Sequence, residues 1–359
     1  MPIEQHDPIA LQRTIQEQGK RWRAGHTSKS RLDERQKRLH LGADHPSLAD
    51  IEERGRAERH VAQATGAYPS TFDWRNVNGQ NYITPVRDQG ACGSCVAFGT
   101  LAAVEGVFQV QRSNPSSGID LSEAELFYCD AAQGGYTCET GWWPDEAFKH
   151  VQAQGVVDEA CFPYTAGDQA CNLCSDADNR RTAINGYHLI QSTADMKDFL
   201  ANVGPLTTCF NVYDDFFYYQ GGIYQHTSQN LVGGHCVAVV GYDDNQRFWV
   251  CKNSWGSGWG EQGFFQIAYG DCGIDAQMWA ADGIVETGWL TGALVLGAYA
   301  AAADAFTWVY LDQVGWRQVS PVSPEINQTM FAQLLASKAS GRPVTVHQTA
   351  GIIDQIYAL

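Results

Sequence analysis

A cysteine opens an apolar, helix-like run in Gln89-Gly90-Ala91-Cys92-Gly93-Ser94-Cys95-Val96-Ala97-Phe98, and no other feature restricts the chain so tightly. A thiol in the first turn of a helix faces unpaired main-chain N–H groups and the positive end of the helix dipole. Both lower its pKa and make it a nucleophile. Far downstream, Gly233-Gly234-His235-Cys236-Val237-Ala238-Val239-Val240-Gly241-Tyr242 predicts a Val-rich strand beginning at His235. A second strand, Phe248-Trp249-Val250-Cys251-Lys252-Asn253-Ser254-Trp255-Gly256, follows the turn-forming Asp243-Asp244-Asn245-Gln246. A hairpin of the two brings Asn253 beside His235, where its carboxamide accepts one imidazole N–H and turns the other ring nitrogen to the thiol. Taken singly, Cys95 reads as a buried or bridged cysteine and His235 or Asn253 as a satisfied polar residue. Together they read as nucleophile, base and orienter.

With these residues in place, the chain resembles the papain-like cysteine proteases of the cathepsin type, from about Tyr68 to about Ala281. The matching segments are Phe72-Asp73-Trp74-Arg75, Pro85-Val86-Arg87-Asp88-Gln89-Gly90, Leu121-Ser122-Glu123-Ala124-Glu125-Leu126, Phe162-Pro163-Tyr164, Gln220-Gly221-Gly222-Ile223-Tyr224 and Cys272-Gly273-Ile274, besides the three already quoted. The resemblance implies an α+β fold of two lobes, one mainly helical around Cys95 and one a β-barrel-like sheet carrying His235 and Asn253, with substrate extended across the cleft. It implies Cys95 as nucleophile, His235 as acid and base, Asn253 as its orienter and Trp255 as a shield over their contact. The Gln89 side chain and the Cys95 main-chain N–H would donate to the oxyanion. Substrate would meet Gly141, Trp142, Trp143, Gly233 and Gly234. Trp143, Cys209, Gly233, Cys236 and Gln277 would line the pocket for the second residue before the cut, favouring Leu, Phe or Tyr over Arg.

The implied activity is hydrolysis of peptide or protein substrates through an acyl-enzyme, by an endopeptidase or exopeptidase that needs no cofactor and no metal. Two other readings are a non-catalytic binding or assembly protein that presents the C-terminal domain, and a peptide ligase using the same acyl-enzyme. Some positions depart from the family. Val96 replaces the usual Trp, Gly99 the usual Ser, and Cys138-Glu139-Thr140-Gly141 keeps only the second glycine of a Cys-x-Gly-Gly loop. Gly141 is where a missing side chain lets an extended peptide approach closely.

The chain has 11 cysteines. By resemblance Cys92 pairs with Cys138, Cys129 with Cys171 or Cys174, and Cys161 takes the remaining partner. Such disulfides imply a secreted protein or another oxidising compartment. A rival reading makes Cys161, Cys171 and Cys174 a zinc site of Cys-x-x-Cys type without an obvious fourth ligand. Cys209, Cys236 and Cys251 fall in apolar, strand-like runs as buried thiols, and Cys272 has no evident partner.

Residues 1–67 read as an inhibitory leader, a propeptide of a shorter, bacterial kind. Leu11, Ile15 and Trp22 suit one helical face within Pro8 to Arg23, and Ser30 to Leu41 is a charged, helix-prone stretch. Met1 to Ala10 is followed by polar residues, so no signal peptide is visible in it. Residues 68–283 form the peptidase. Residues 284–359 form a small β-rich domain whose three strands, helix Pro324 to Lys338 and two further strands follow the element order of an OB-fold. The run from Met330 to Val346 also resembles the helix and strand of B subunits of bacterial AB toxins. A glycan, a protein or a second copy would be its partner.

Charge narrows the partners further. Residues 1–67 carry 12 Lys and Arg against 10 Asp and Glu, a net +2, so the remainder carries −18 and the net −16 comes from it alone. An acidic body lacks the basic footprint of a nucleic-acid binder, and no apolar run approaches the length of a membrane span.

Overall fold

Asp7 accepts the N–H of Ile9 and Pro8 occupies the first turn, so helix α1 starts there and runs Pro8–Glu17. Gly19, at φ +66°, breaks it, and the chain turns into strand β1, Arg21–Ala24. The single helical face expected for Leu11, Ile15 and Trp22 is therefore divided. Leu11 and Ile15 are buried on α1, while Trp22 is buried on β1 against the rings of Tyr219 and Tyr224. A capping box between Asp33 and Gln36 starts α2, Glu34–Leu39. The structure is a computed structural model that describes residues 6–43, 68–285, 288–301, 306–312, 315–321, 323–349 and 352–358.

After β2, Thr71–Asp73, comes α3, Cys95–Gln111. Its apolar residues, Val96, Ala97, Leu101, Ala103, Val104 and Val107 among them, are buried on nearly every side, as in a helix at the centre of a lobe. A π-helical segment, Glu125–Ala131, and α4, Pro144–Ala153, pack around it. The second lobe is a sheet of β3 (Tyr187–Ile190), β4 (Leu206–Tyr213), β5 (Tyr219–Tyr224), β6 (Leu231–Asp243), β7 (Phe248–Lys252), β8 (Phe264–Ala268) and β9 (Met278–Ala281), with α5, Thr193–Asn202, between β3 and β4. Strand order is β1-β5-β8-β7-β6-β4-β9-β3, with β2 also on β6. The leader thus contributes the edge strand β1, antiparallel to β5. The hairpin expected around His235 is β6 and β7, with Ala238 opposite Lys252.

A second compact unit begins at Val285, the first ending at Ile284. Its elements are β10 (Gly288–Ala293), β11 (Val295–Ala301), β12 (Phe306–Leu311), β13 (Gly315–Val319), α6 (Pro324–Ser340), β14 (Val344–Thr349) and β15 (Ile352–Ala358). The sheet order β10-β14-β15-β13-β12-β11 starts and ends on the two halves of one run interrupted at Leu294. The sheet therefore curls round on itself in the strand order of an OB-fold, with β13 and β15 the parallel pair. Val295, Val309, Leu311, Val319, Met330, Leu334, Val344, Val346 and Ile353 fill it. Asn327 ties the helix down: its Nδ2 donates to the carbonyls of Val319 and Ser320 and its Oδ1 accepts from Thr307. Such bonding keeps a buried amide from costing stability.

Candidate active site

Helix α3 starts at Cys95 and lies against β6. The approach is tight at Gly99, where a Cβ would stand 2.9 Å from Cys236 Sγ and 3.1 Å from the Val237 nitrogen. Thr207 Oγ1 donates to the Gly99 carbonyl at 3.1 Å. The family departure at Gly99 thus has a local cause: the Cys236 side chain occupies the space a larger residue would need. Gly99→Ser is expected to destabilise the fold by about 1–3 kcal/mol through overpacking. Thermal unfolding of Gly99→Ser with and without Cys236→Ala checks this, since the second change should recover most of the loss.

Main-chain N–H groups of Val96, Cys236 and the leader's Gly42 bear on the Cys95 sulfur. The thiol therefore sits between the first turn of α3, the residue after His235, and the leader. His235 Nε2 lies 2.7 Å from Asn253 Oδ1, which also accepts the Ser254 main-chain N–H at 2.8 Å. An oxygen that accepts from Ser254 can only accept from the imidazole too, so Nε2 carries the ring hydrogen. Nδ1 is then the nitrogen with a lone pair, and it is buried without a hydrogen-bond partner among the described residues. Trp255 and Phe210 flank the ring at centroid distances of 4.9 and 5.9 Å. Gln89 is fully buried; its Oε1 accepts from Ser254 Oγ at 2.6 Å and its Nε2 donates to the Cys92 carbonyl at 2.8 Å. One amide hydrogen of Gln89 remains.

Ser254 and Tyr164 were not singled out from the sequence. Ser254 grips Gln89 through its hydroxyl and Asn253 through its main chain, and Tyr164 donates to the Gln89 carbonyl at 2.8 Å. Both stand inside matching segments, but nothing in a linear pattern shows which hydroxyl turns inward.

The leader lies over this group. Gly42 and Ala43 donate their N–H groups to the Gly234 carbonyl at 3.1 and 3.2 Å, and Trp142 donates its N–H to the Gly42 carbonyl at 2.7 Å. Ala43 and Trp142 form a parallel bridge. Gly141, at φ +71°, has no room for a side chain because a Cβ would run into that same Gly42 carbonyl. Trp255 Nε1 donates to the His40 carbonyl at 3.1 Å, Arg38 to the Val232 carbonyl at 3.1 Å, and Lys29 reaches both Asp88 oxygens at 3.0 Å. The exposed Arg35–Glu139 pair adds little. Thr140 accepts the N–H of Thr137 at 2.9 Å, so the loop that lost a glycine is held by a side-chain bond instead.

Of the expected pocket residues, Cys209 and Cys236 face each other across the β4–β6 ladder. They share one apolar cluster with Cys95, Trp142, Trp143 and the leader's Ala43. Trp143 meets Trp279 edge-on at 5.2 Å, Gly233 faces the leader's Leu41 side chain, and Gln277 is buried with its carbonyl on Thr208 Oγ1 at 3.1 Å.

Covering reverses one expectation. Burial, then the neighbouring Cys236 thiol, pushes the Cys95 thiol well above its ordinary pKa despite the helix-terminal N–H groups. Burial likewise pulls His235 down to about 4, against the Asn253 hydrogen bond that acts the other way. Burial thus disfavours the charged form of both groups.

Three disulfides join Cys92 to Cys138, Cys129 to Cys171 and Cys161 to Cys174. The first fastens the loop before Cys95 to the loop carrying Gly141. The other two use the cysteines of the rival zinc reading and exclude it, because a bridged sulfur has no thiolate to offer. Cys95, Cys209, Cys236, Cys251 and Cys272 are free and buried.

Comparison with known proteins agrees with this geometry. Residues 68–281 match the model of the papain family cysteine proteases. The chain is 36% identical to cathepsin B-like CP3 of Giardia intestinalis over 63% of this chain and 78% of that one. It is 34% identical to mouse pro-cathepsin H over 60% and 65%. Among solved structures it is similar to procathepsin L 3 of Tenebrio molitor, with TM-score 0.62, 27% identity, and 76% and 87% of the two chains covered. It shares the fold of procathepsin B S9 from Trypanosoma congolense, with TM-score 0.64, 23% identity, and 78% and 98% covered. The chain belongs to the papain family of cysteine proteases.

Proposed function

We propose that the chain is a leader-inhibited zymogen whose peptidase activity runs through Cys95, His235, Asn253 and Gln89. The observation that carries this reading is the His235 Nε2 bond to Asn253 Oδ1, which leaves Nδ1 to take the proton of Cys95. The thiolate attacks the peptide carbonyl, and the oxyanion is received by the Cys95 main-chain N–H and the remaining Gln89 amide hydrogen. Protonated His235 returns its proton to the departing amine, leaving a thioester. Water, deprotonated by His235, then releases the acid. Trp255 keeps solvent off the His235–Asn253 bond. Gln89→Ala is expected to lower turnover roughly 10²-fold through loss of one oxyanion donor; an unchanged kcat on a short fluorogenic peptide contradicts that role.

Substrate extends along Gly141, Trp142, Gly233 and Gly234 after the leader departs. Trp143, Cys209, Gly233, Cys236 and Gln277 form the pocket for the second residue before the cut, small or apolar on several sides and neutral at Gln277. Peptides with Leu or Phe there are expected to be cut faster than those with Arg, whose buried cation would go uncompensated. A peptide-library digest read by mass spectrometry measures this, and its products separate hydrolysis from ligation. Disulfides fit a secreted protein or an oxidising compartment. The unit from Val285 onward acts as an accessory module for a glycan, a protein or a second copy.

A further inference from the structure

Away from Cys95, three side chains of different chemistry converge at the end of β5 and the turn after β8. His226 Nδ1 lies 2.7 Å from Asp271 Oδ1, Cys272 Sγ lies 3.0 Å from the same oxygen, and Cys272 Sγ stands 3.8 Å from the same nitrogen. This is the only such trio of potential metal ligands among the described residues. We propose that His226, Asp271 and Cys272 form a binding site for a zinc-class divalent cation, separate from the peptidase residues.

The arrangement is unlike a second catalytic triad. A triad uses the two ring nitrogens for different partners, whereas here the carboxylate and the sulfur both address Nδ1. Convergence on one point is the pattern of coordination. A tetrahedral zinc with bonds of about 2.0–2.3 Å holds its ligand atoms about 3.3–3.7 Å apart, so the three observed spacings need only small changes to admit the ion. Imidazole, carboxylate and thiolate are also ligands that zinc accepts together.

Neighbouring groups hold these ligands in place. The His226 main-chain N–H donates to Asp271 Oδ1 at 3.2 Å, and the Tyr213 ring stacks on the imidazole at 4.3 Å with an interplanar angle of 14°. Such outer contacts fix ligand orientation. Cys272 itself is held at φ +56° and ψ 12°, a left-handed conformation uncommon outside glycine and concentrated at functional positions. The site has an entrance: the His226 and Asp271 side chains are 30% and 12% exposed, which leaves the fourth position to water. Asp215 adds negative field at Cys272. Lys20 of the leader donates to the His226 carbonyl and so approaches that residue from its main-chain side.

Charge and protons balance. Without an ion the Cys272 thiol keeps its hydrogen and donates it to the Asp271 carboxylate. A divalent cation takes the place of that proton and releases it to solvent, while the hydrogen that Nδ1 gives to Asp271 moves through solvent to Nε2 and frees the Nδ1 lone pair; one carboxylate, one thiolate, one neutral imidazole and two positive charges then sum to zero. Binding should therefore strengthen as pH rises.

Full-length chain carrying Cys95→Ala is the material for the test, because that change removes the peptidase thiol as a competing ligand. Titration with Zn²⁺ in two buffers of different ionisation enthalpy should give one ion bound and one proton released. Titration with Co²⁺ should give a thiolate-to-cobalt charge-transfer band in the near ultraviolet. Cys272→Ser, close in shape, should abolish the band and weaken Zn²⁺ binding by more than about 100-fold, and His226→Gln should do likewise. Circular dichroism of each variant without metal shows whether it is folded; if either fails, the other decides. Absence of the band in the parent protein overturns the proposal, as does Zn²⁺ binding that survives Cys272→Ser unchanged.

Discussion

Cys95→Ala is expected to remove peptide turnover by on the order of 10⁶-fold, the loss typical of deleting a nucleophile whose partners act as a unit. The fold should survive. Cys95 is buried at the start of α3, and the change deletes one sulfur atom while leaving the three disulfides and the Gly99 contact with β6 untouched. Unfolding temperature and steady-state kinetics on the same preparation separate the two effects. Turnover equal to that of the parent would move the nucleophile elsewhere.

Removing the leader is expected to raise activity by about 100-fold or more if it covers 99% of molecules, since apparent competence scales with the uncovered fraction. Lowering the pH should do part of the same work. Burial holds His235 at about 4, against 6.5 for an ordinary imidazole, and the leader's own His40 is lowered by burial as well. Lifting the leader admits water to both rings, so the uncovered state is expected to bind more protons than the covered one between pH 6.5 and 4. As pH falls from 6.5 towards 4, His235 protonates only where the leader has lifted, which shifts the balance towards opening by up to about 10-fold per pH unit. Below about 4 the covered form protonates too and this contribution stops growing. The measurement is the ratio of turnover by protein freed of residues 1–67 by proteolysis after folding to turnover by the full chain. That ratio should shrink between pH 6.5 and 4; a ratio independent of pH would mean that the buried histidines do not control release.

Much of the candidate site was legible because its signals are local. A cysteine before an apolar helix, and a histidine and an asparagine on two strands joined by a polar turn, each declare their setting within about ten residues. The C-terminal element order was legible for the same reason, through the helix from Pro324 and the short strands around it. The break at Leu294 was not: what reads as one strand divides into β10 and β11, which take opposite ends of the sheet order. The Cys129 partner stayed open between Cys171 and Cys174 because residues so close in sequence differ only in where the loop points. Trp22 was misplaced because Gly19 in a left-handed conformation, which the apolar spacing cannot register, ends α1. The sharpest difference is the direction of the Cys95 shift. A helix start argues for a thiolate, but the packing of Gly42 over the sulfur is a tertiary fact, and desolvation outweighs the helix dipole there. Cys272 belongs to the same class: its neighbours His226 and Asp271 come from different elements, and only folding brings them to one point.

Labelling with an electrophilic peptidyl inhibitor, with the adduct located by mass spectrometry, shows whether Cys95 is an activated nucleophile kept silent by the leader. Protein freed of residues 1–67 should take up one equivalent, on Cys95, and full-length protein at neutral pH should take up almost none. Equal labelling of both forms, or an adduct on Cys209, Cys236, Cys251 or Cys272 in place of Cys95, would contradict it.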